Sequence, residues 1–265
     1  MKITIFTSNQ PRHIALAKEL SKICDHLYCI QECNTVVPGQ REDFFKKTDL
    51  MQDYFNSVMA AECSIFGDLD FMPKNISSMS IKSGDLNFMT YSQLSPALDS
   101  DAYIVFGASY IKGWLVKLLV EKGAINIHMG LSPYYRGSSC NFWALYDEKP
   151  NFVGATIHLL TVGLDSGPML YHCLPASHWS NLFEYTMLSV QSAHSSLVER
   201  IDNGSINNFE PITQVKSNEI RYSKNYEFKD DILIDFNSRI SRIEEKLKEN
   251  NFSTQPELLN QFKPS

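Results

Sequence analysis

The sequence has neither an excess of positive charge nor a long hydrophobic run. Its 265 residues carry a formal net charge of −6 at pH 7. Proteins that bind nucleic acid contact the phosphates with clustered Lys and Arg, so this charge counts against such a partner. No run approaches the ~20 apolar residues of a membrane span, and the apolar start of the chain is too short for a signal peptide. We therefore expect a cytoplasmic protein that binds neither nucleic acid nor a membrane.

Metal-binding patterns are also missing. The six cysteines form no C-x-x-C pair, so the spacing of a zinc ribbon is absent. The histidines show no metal-ligand spacing on any one predicted element. We therefore expect reduced, mostly buried thiols and no metal site.

Apolar runs and helical spacings alternate along the chain. Residues 2–7 predict a buried strand, residues 12–22 a helix and residues 27–30 a second strand. Residues 102–106 and 124–127 predict two further buried strands. This alternation predicts an α/β fold with a Rossmann-like, mostly parallel sheet and flanking helices.

Other segments are assigned by the same periodicities. We expect helices at residues 42–61, 114–122, 137–146 and 177–203, and a strand at 152–162 that returns through a turn at 163–167 to a strand at 169–173. Residues 73–96 mix turn residues with a short helix or strand.

An amide, an imidazole and a carboxylate lie at the ends of two predicted strands. Asn126 and His128 alternate on one strand, so both side chains point to the same face. Asp165 lies in the turn after the next predicted strand. Strand ends face a crevice in α/β proteins. There an amide can donate to an oxyanion, an imidazole can move a proton and a carboxylate can orient it, without a Ser or Cys nucleophile.

The sequence around these residues resembles the formyltransferase family that uses 10-formyltetrahydrofolate. The family's hallmark is Asn-x-His followed by Leu-(Ser/Leu)-Pro-x-Tyr-Arg-Gly, which residues 126–137 match. A second block, Gly-x-(Thr/Ser)-x-His and then Asp-x-Gly, is matched by residues 154–167. The resemblance implies the formyltransferase fold, N10-formyltetrahydrofolate as co-substrate, and catalytic roles for Asn126, His128 and Asp165.

The resemblance also indicates binding residues. The family's folate-pocket loop aligns with residues 107–113, and the expected folate contacts are Ser109, Tyr110, Ile111, Gly163 and Leu164. Candidate contacts to the second substrate are Arg12, His13 and Arg136, each of which is alternatively a surface or structural residue. His158 belongs to the motif, and we interpret it as structural.

The looser resemblance sets the domain boundary. It covers residues 1–205, which we expect to form the catalytic domain, with residues 206–265 as a small C-terminal appendage. In the appendage, residues 237–249 predict a charged helix with an apolar stripe of Ile240, Ile243 and Leu247. The stripe either packs against the body or forms a dimer or substrate-binding face, and a dimer is expected from the family.

The motif identifies the formyl donor and leaves the accepting amine open. The turn after the first strand, residues 7–13, has no glycine, which weakens glycinamide ribonucleotide as the acceptor. The short region after residue 205 has no strongly basic run, which weakens methionyl-tRNA. The chain most resembles the sugar N-formyltransferases, so we expect an amino-sugar nucleotide used for surface polysaccharide. A hydroxyornithine-type acceptor and hydrolysis of formyltetrahydrofolate stay open as alternatives.

Overall fold

A seven-stranded sheet forms the centre of the molecule. The structure is a computed structural model that describes residues 1–36, 48–250 and 252–264. The sheet strands are β1 (Lys2–Ser8), β2 (His26–Cys33), β3 (Ile76–Lys82), β4 (Ala102–Phe106), β5 (Ile125–His128), β7 (Ala155–Leu159) and β8 (Met169–Cys173). A separate two-stranded sheet pairs β6 (Tyr135–Gly137) with β9 (Arg221–Ser223).

Helices flank the sheet. They are α1 (Pro11–Ser21), α2 (Asp49–Phe66), α3 (Tyr91–Leu94), α4 (Gly113–Glu121), α5 (Cys140–Tyr146), α6 (Leu182–Asp202) and α7 (Asp230–Glu249). In α1, Pro11 occupies the first turn, where no helical N–H is needed, and Ile14, Ala17 and Leu20 bury one face. The predicted helix at residues 42–61 is seen as α2 from Asp49 onward, and residues 42–47 lie outside the described residues.

The strand order is β3-β2-β1-β4-β5-β7-β8. The first four pairings are parallel, whereas β7 pairs antiparallel with both β5 and β8. The mostly parallel α/β sheet predicted from the sequence is therefore confirmed. In this arrangement the C-terminal ends of β1, β4 and β5 lie at one edge of the sheet, where the candidate site residues follow.

Within the described residues, three predicted elements begin three or more residues later than expected. The helix predicted from residue 137 begins only at Cys140, because Tyr135–Gly137 pairs as a strand with Arg221–Ser223. Gly137 has a φ of 90°, and a Cβ there would lie 2.1 Å from the Ser223 carbonyl oxygen, so this close pairing requires glycine.

The other two boundaries move for local reasons. The strand predicted from residue 152 begins at Ala155, since Pro150–Phe152 forms a 3₁₀ turn. The long helix begins at Leu182 and not at residue 177, because the Asn181 side chain accepts a hydrogen bond from Glu184 N and caps it.

The residues after 205 pack onto the body of the protein. Ile243 of α7 is fully buried, and Ile240 and Leu247 pack partly buried in the same cluster with α2 and α5. The apolar stripe therefore packs against the body, and the domain boundary and the dimer stay predictions. Within the described residues, no helix is both long and apolar enough to cross a membrane.

Backbone from this C-terminal region also covers the edge of strand β8. Met169 exchanges two backbone hydrogen bonds with Ile212, at 2.8 and 2.9 Å. Phe262 O accepts from Leu174 N at 2.8 Å, and Leu259 O accepts from His172 N at 2.9 Å. The edge strand is therefore paired with the chain's own later residues, which protects it from pairing with another molecule.

Candidate active site

The predicted amide, imidazole and carboxylate lie together at the end of β5. Asn126 and His128 are buried on the same face of the strand, and Asp165 lies in the loop between β7 and β8. His128 Nδ1 is 3.4 Å from Asp165 Oδ1. Asp165 has a φ of 46°, a left-handed conformation that Asp tolerates better than most residues.

The imidazole of His128 is fixed by a backbone carbonyl. Its Nε2 lies 3.0 Å from Tyr135 O, so Nε2 carries a proton and Nδ1 faces Asp165. Burial lowers the pKa of His128, but the Asp165 carboxylate and then Cys140 outweigh it, and the pKa is raised well above its ordinary value. The ring is therefore an imidazolium at neutral pH.

Asp165 is the counter-ion of this imidazolium. Burial alone would raise the pKa of its carboxyl group, but the His128 charge and hydrogen bond lower it below the ordinary value. The loop that carries Asp165 is held by Gln214, whose Nε2 donates to Asp165 O at 2.9 Å and to Gly167 O at 2.8 Å. The pair is thus an ion pair on a braced loop.

The Asn126 amide is oriented by His158. His158 Nδ1 lies 2.8 Å from Leu159 O and must donate to it, so Nε2 accepts from Asn126 Nδ2 at 2.9 Å. Burial lowers the pKa of His158 to about 4, so the ring stays neutral. The interpretation of His158 as a structural residue agrees with this geometry, and its structural task is to hold the amide in place.

A cavity of about 540 Å³ opens at these residues. Its walls include eight of the predicted site residues, namely Asn126, His128, Asp165, Ser109, Tyr110, Leu164, Arg12 and His13. The remaining three, Ile111, Gly163 and Arg136, do not line it. Ile111 is 4% exposed and packs in the core between the sheet and α4, so its side chain faces inward.

The loop predicted to hold folate is anchored by Glu32, which sequence reasoning missed. The Glu32 carboxylate accepts hydrogen bonds from Ser109 N and Ser109 Oγ, and a third from Gly84 N at 2.7 Å. Both donors of Ser109 are therefore engaged within the protein. An acidic residue at the carboxyl end of the buried strand β2 was the signal in the sequence, but the predicted strand stopped at Ile30.

Tyr110 connects the two loops that border the cavity. Its hydroxyl donates to Val162 O at 2.6 Å, which links the loop after β4 to the loop that precedes Asp165. Gly163 and Leu164 lie in this second loop. A Cβ on Gly163 would lie 2.3 Å from Ser166 Oγ, so a larger residue there would displace the Ser166 side chain.

Two of the three candidate substrate contacts, Arg12 and Arg136, form ion pairs within the protein, and the third, His13, is buried. Arg12 Nη1 lies 2.8 Å from the buried Glu62 carboxylate. Arg136 donates to Glu219 and to Leu164 O, both at 2.9 Å, and so braces the Asp165 loop, in agreement with its structural alternative. Burial, then the Arg12 charge, lowers the pKa of His13 well below its ordinary value.

A second cavity of about 330 Å³ adjoins the first. The two share Arg12, His128, Met129 and Gly137 as lining residues. The walls of this second cavity are mostly apolar side chains of α2, α5, α6 and α7. Over residues 1–36, 48–250 and 252–264, no group of three His, Cys, Asp or Glu is placed to hold a metal ion.

Comparison with known proteins agrees with this architecture. Residues 101–176 match the family model described as formyl transferase. The crystal structure of a 4-N formyltransferase from Francisella tularensis has a TM-score of 0.52 and 18% identity, over 89% of this chain and 86% of that one. The likeness shows a shared fold, the α/β formyltransferase fold.

Two curated relatives match shorter segments. A methionyl-tRNA formyltransferase of Thermosynechococcus vestitus is 38% identical over 74 residues, which are 28% of this chain and 22% of the relative. The mitochondrial formyltetrahydrofolate deformylase 2 of Arabidopsis thaliana is 31% identical over 98 residues, 37% of this chain and 28% of the relative. The match thus spans less than a third of either relative. The segment that matches the formyl transferase family model, residues 101–176, contains Asn126, His128 and Asp165.

Proposed function

We propose that the chain transfers the formyl group of N10-formyltetrahydrofolate to a primary amine. The observation that carries the proposal is the convergence of Asn126, His128 and Asp165 on the wall of one cavity. A donor amide, an imidazolium and a carboxylate are what attack on a formyl carbon requires, because the reaction passes through an oxyanion and moves protons between two nitrogens.

The Asn126 amide stabilises the tetrahedral oxyanion. Among the described residues, the partner of Asn126 Nδ2 is His158 Nε2, which takes one of the two amide hydrogens. The second hydrogen serves the oxyanion, and its direction is set in advance by the His158 contact. Such preorganised donors act because they do not reorient during the reaction.

Proton transfer uses the Nδ1 side of His128. Nε2 is engaged with Tyr135 O, so the reactive proton lies on Nδ1, facing Asp165. In the resting enzyme His128 stabilises negative charge and donates a proton to the leaving N10. Asp165, directly or through a water, takes the proton of the attacking amine. The 3.4 Å separation of Nδ1 and Oδ1 keeps the two groups close enough for the proton to return from Asp165 to His128 after each turnover.

A folate-release assay tests the proposal. Purified protein is mixed with 10-formyltetrahydrofolate and a panel of amines, and tetrahydrofolate and the formylated amine are both measured. We expect transfer to at least one amine and a loss of roughly 10²–10³ in rate for Asn126→Ala. Tetrahydrofolate release that is the same in Asn126→Ala, His128→Ala and the unchanged protein would refute the proposal.

The acceptor in this proposal is an amino-sugar nucleotide. Two features of the sequence support this acceptor, because they disfavour the other acceptors of the family. The turn after β1 has no glycine to hold a ribonucleotide phosphate, and the net charge of −6 disfavours tRNA. The panel therefore contains amino-sugar nucleotides, glycinamide ribonucleotide, hydroxyornithine and methionyl-tRNA. A product formed from only one class assigns the acceptor.

Hydrolysis is the second candidate function, because one curated relative is named a formyltetrahydrofolate deformylase. In that reaction water replaces the amine, and the same three residues serve. Release of formate at an equal rate with and without every amine would favour the hydrolase.

A further inference from the structure

The second cavity, which we call the apolar cavity, lies directly beside His128 and has no role in folate binding as proposed above. Its volume is about 330 Å³. Protein interiors are close-packed and contain few voids larger than a water molecule. An apolar cavity of about 150 Å³ already binds benzene, so a void of this size has room for a larger apolar group.

Its walls are mainly aromatic and aliphatic side chains. They come from α2 (Tyr54, Phe55, Val58), α5 (Phe142, Leu145), α6 (Leu182, Phe183, Met187, Val190), α7 (Phe236) and the preceding Phe228. The rings form an edge-to-face array, with Phe142 and Phe228 centroids 4.8 Å apart and Tyr54 and Phe142 centroids 5.7 Å apart. Such packing gives the cavity a fixed shape.

Two of the polar side chains that line the apolar cavity are hydrogen-bonded within the protein. Asn141 donates to Ser189 Oγ and accepts from Gly154 N. The hydroxyl of Thr186 donates to Phe183 O at 2.7 Å. Most of the surface that the described residues offer to a ligand is therefore apolar, and a hydroxyl-rich or phosphate-bearing group would lose most of its hydration there without replacement.

Positive charge at this cavity is also neutralised. In the part of the chain that the structure describes, Arg12 is the one Lys or Arg among its lining residues. Arg12 is paired with the buried carboxylate of Glu62 through both its guanidinium and its backbone N–H. Among the described residues, a diphosphate therefore meets no unpaired Lys or Arg on the wall of this cavity.

The position of the apolar cavity relates it to the reaction. His128 and Met129 line both cavities, so a group that fills the apolar cavity ends next to the proposed proton-transfer residue. The folate-pocket residues Ser109, Tyr110 and Leu164 line only the larger cavity. The two substrates thus approach His128 from different sides.

We infer that the apolar cavity is the acceptor subsite, and that the accepting amine carries an uncharged alkyl or aryl group that fills it. This inference rests on the proposed formyl transfer, and it names an acceptor with an apolar group in place of the amino-sugar nucleotide that the sequence favours. It places the amine at His128 and directs any polar remainder of the acceptor into the larger cavity.

The experiment measures binding and transfer separately, with primary alkylamines from butylamine to octylamine, phenethylamine, and ethanolamine as the polar comparison. Binding is followed by calorimetry, and transfer from 10-formyltetrahydrofolate by mass spectrometry of the formamide. We expect affinity to rise about fourfold per added methylene until the cavity is filled. No dependence of affinity on chain length would overturn the inference.

Variants that fill the apolar cavity test whether the dependence of affinity on chain length arises there. Val190→Phe, on α6, and Val58→Phe, on the less buried α2 face, should both remove the dependence on chain length, while tetrahydrofolate binding stays unchanged. Val120→Phe on the exposed face of α4 is the matched control and should behave like the unchanged protein. Circular dichroism shows whether each variant folds. If one of the two cavity-filling variants fails to fold, the result for the other tests the inference.

The two proposals fail in different ways. Chain-length-dependent binding that Val190→Phe abolishes, without transfer to any amine, supports the subsite and counts against the proposed reaction. Transfer to an amino-sugar nucleotide that neither filling variant affects confirms the reaction and overturns the subsite.

Discussion

At the scale of single residues, the imidazolium of His128 depends on one carboxylate. The groups that raise its pKa are Asp165 first and then Cys140, and burial of the ring acts against both. The positive charge on the His128 ring therefore depends on Asp165, and the negative charge on Asp165 depends on His128.

Replacing Asp165 by Asn should lower the pKa of His128 below the ordinary value for histidine, because burial is then opposed mainly by Cys140. The imidazole resonances of His128 followed by NMR between pH 4 and 9 measure this directly. An unaltered His128 titration in the variant would show that Asp165 is not its counter-ion.

A pH profile follows from the same pair in the unchanged enzyme. The pKa of His128 is raised and that of Asp165 is lowered, so the ion pair persists through neutral pH. Transfer at saturating substrate should be flat there and fall on the alkaline side as His128 loses its proton. A profile that rises with pH through the ordinary pKa of histidine would contradict this assignment.

Glu32 anchors the loop that we propose to bind folate. Its carboxylate holds the Ser109 backbone and hydroxyl together. Glu32→Gln removes the charge and turns part of the acceptor into a donor facing other donors. We expect KM for the folate to rise roughly tenfold or more, since hydrogen bonds to a charged group contribute about 1.5–3 kcal/mol, with a smaller change in kcat. Glu19→Gln on the exposed side of α1 is the control.

At the scale of elements, the turn between β7 and β8 places Asp165 by close backbone contact. A Cβ on Gly167 would lie 1.7 Å from Leu159 O and 2.8 Å from His158 Nδ1. No L side chain fits at this position without moving the loop or the histidine that orients Asn126. The Asp-x-Gly spacing in the sequence therefore reflects a steric requirement.

Gly167→Ala should lower the free energy of unfolding by about 1–3 kcal/mol and reduce the transfer rate more than substrate binding. Gly123→Ala tests backbone strain alone, because Gly123 has a φ of 67° and a Cβ added there would meet no atom of the described residues within 4 Å. Chemical denaturation measures both. Equal losses of activity in the two variants would mean that local sterics at Gly167 are unimportant.

The elements that could be predicted are those that a short run of consecutive residues identifies. Strands β4 and β8 are apolar runs, and Asn126 and His128 follow from alternation on β5. The sequence did not predict the pairing of Tyr135–Gly137 with Arg221–Ser223. The two segments are far apart in sequence, and a strand of three residues is too short to show an alternation of apolar and polar side chains. The lining of the apolar cavity was missed for the same reason, since four helices and a loop each contribute a few rings that resemble ordinary core residues.

At the scale of the whole molecule, several buried histidines are held neutral. Burial lowers the pKa of His158 and of His172 to about 4, and that of His194 to about 3. The unfolded chain has ordinary histidines that take up protons near pH 6.5. The folded state therefore binds fewer protons between these values, and its stability rises with pH in that window.

Acidification from pH 7 to about pH 4 should therefore lower the free energy of unfolding steeply, by up to roughly 3 kcal/mol for each such histidine at about 1.4 kcal/mol per pKa unit. Urea denaturation at a series of pH values measures the slope. His172→Gln retains a donor and an acceptor without titrating near pH 6, and should flatten the curve. The same slope in this variant would assign the acid sensitivity to other groups.

The hydrogen bond from Leu259 N to His172 Nδ1, at 2.9 Å, joins residues 87 positions apart in sequence. During translation the strand that carries His172 leaves the ribosome well before Leu259 is made, by several seconds at about 5–20 residues per second. Throughout that interval one edge of the nascent sheet has no partner for its amide and carbonyl groups. The order of synthesis therefore leaves a period in which the exposed edge of β8 can pair with another molecule. A chaperone that covers this edge, or rapid synthesis of the residues up to Leu259, would favour pairing with the chain's own backbone.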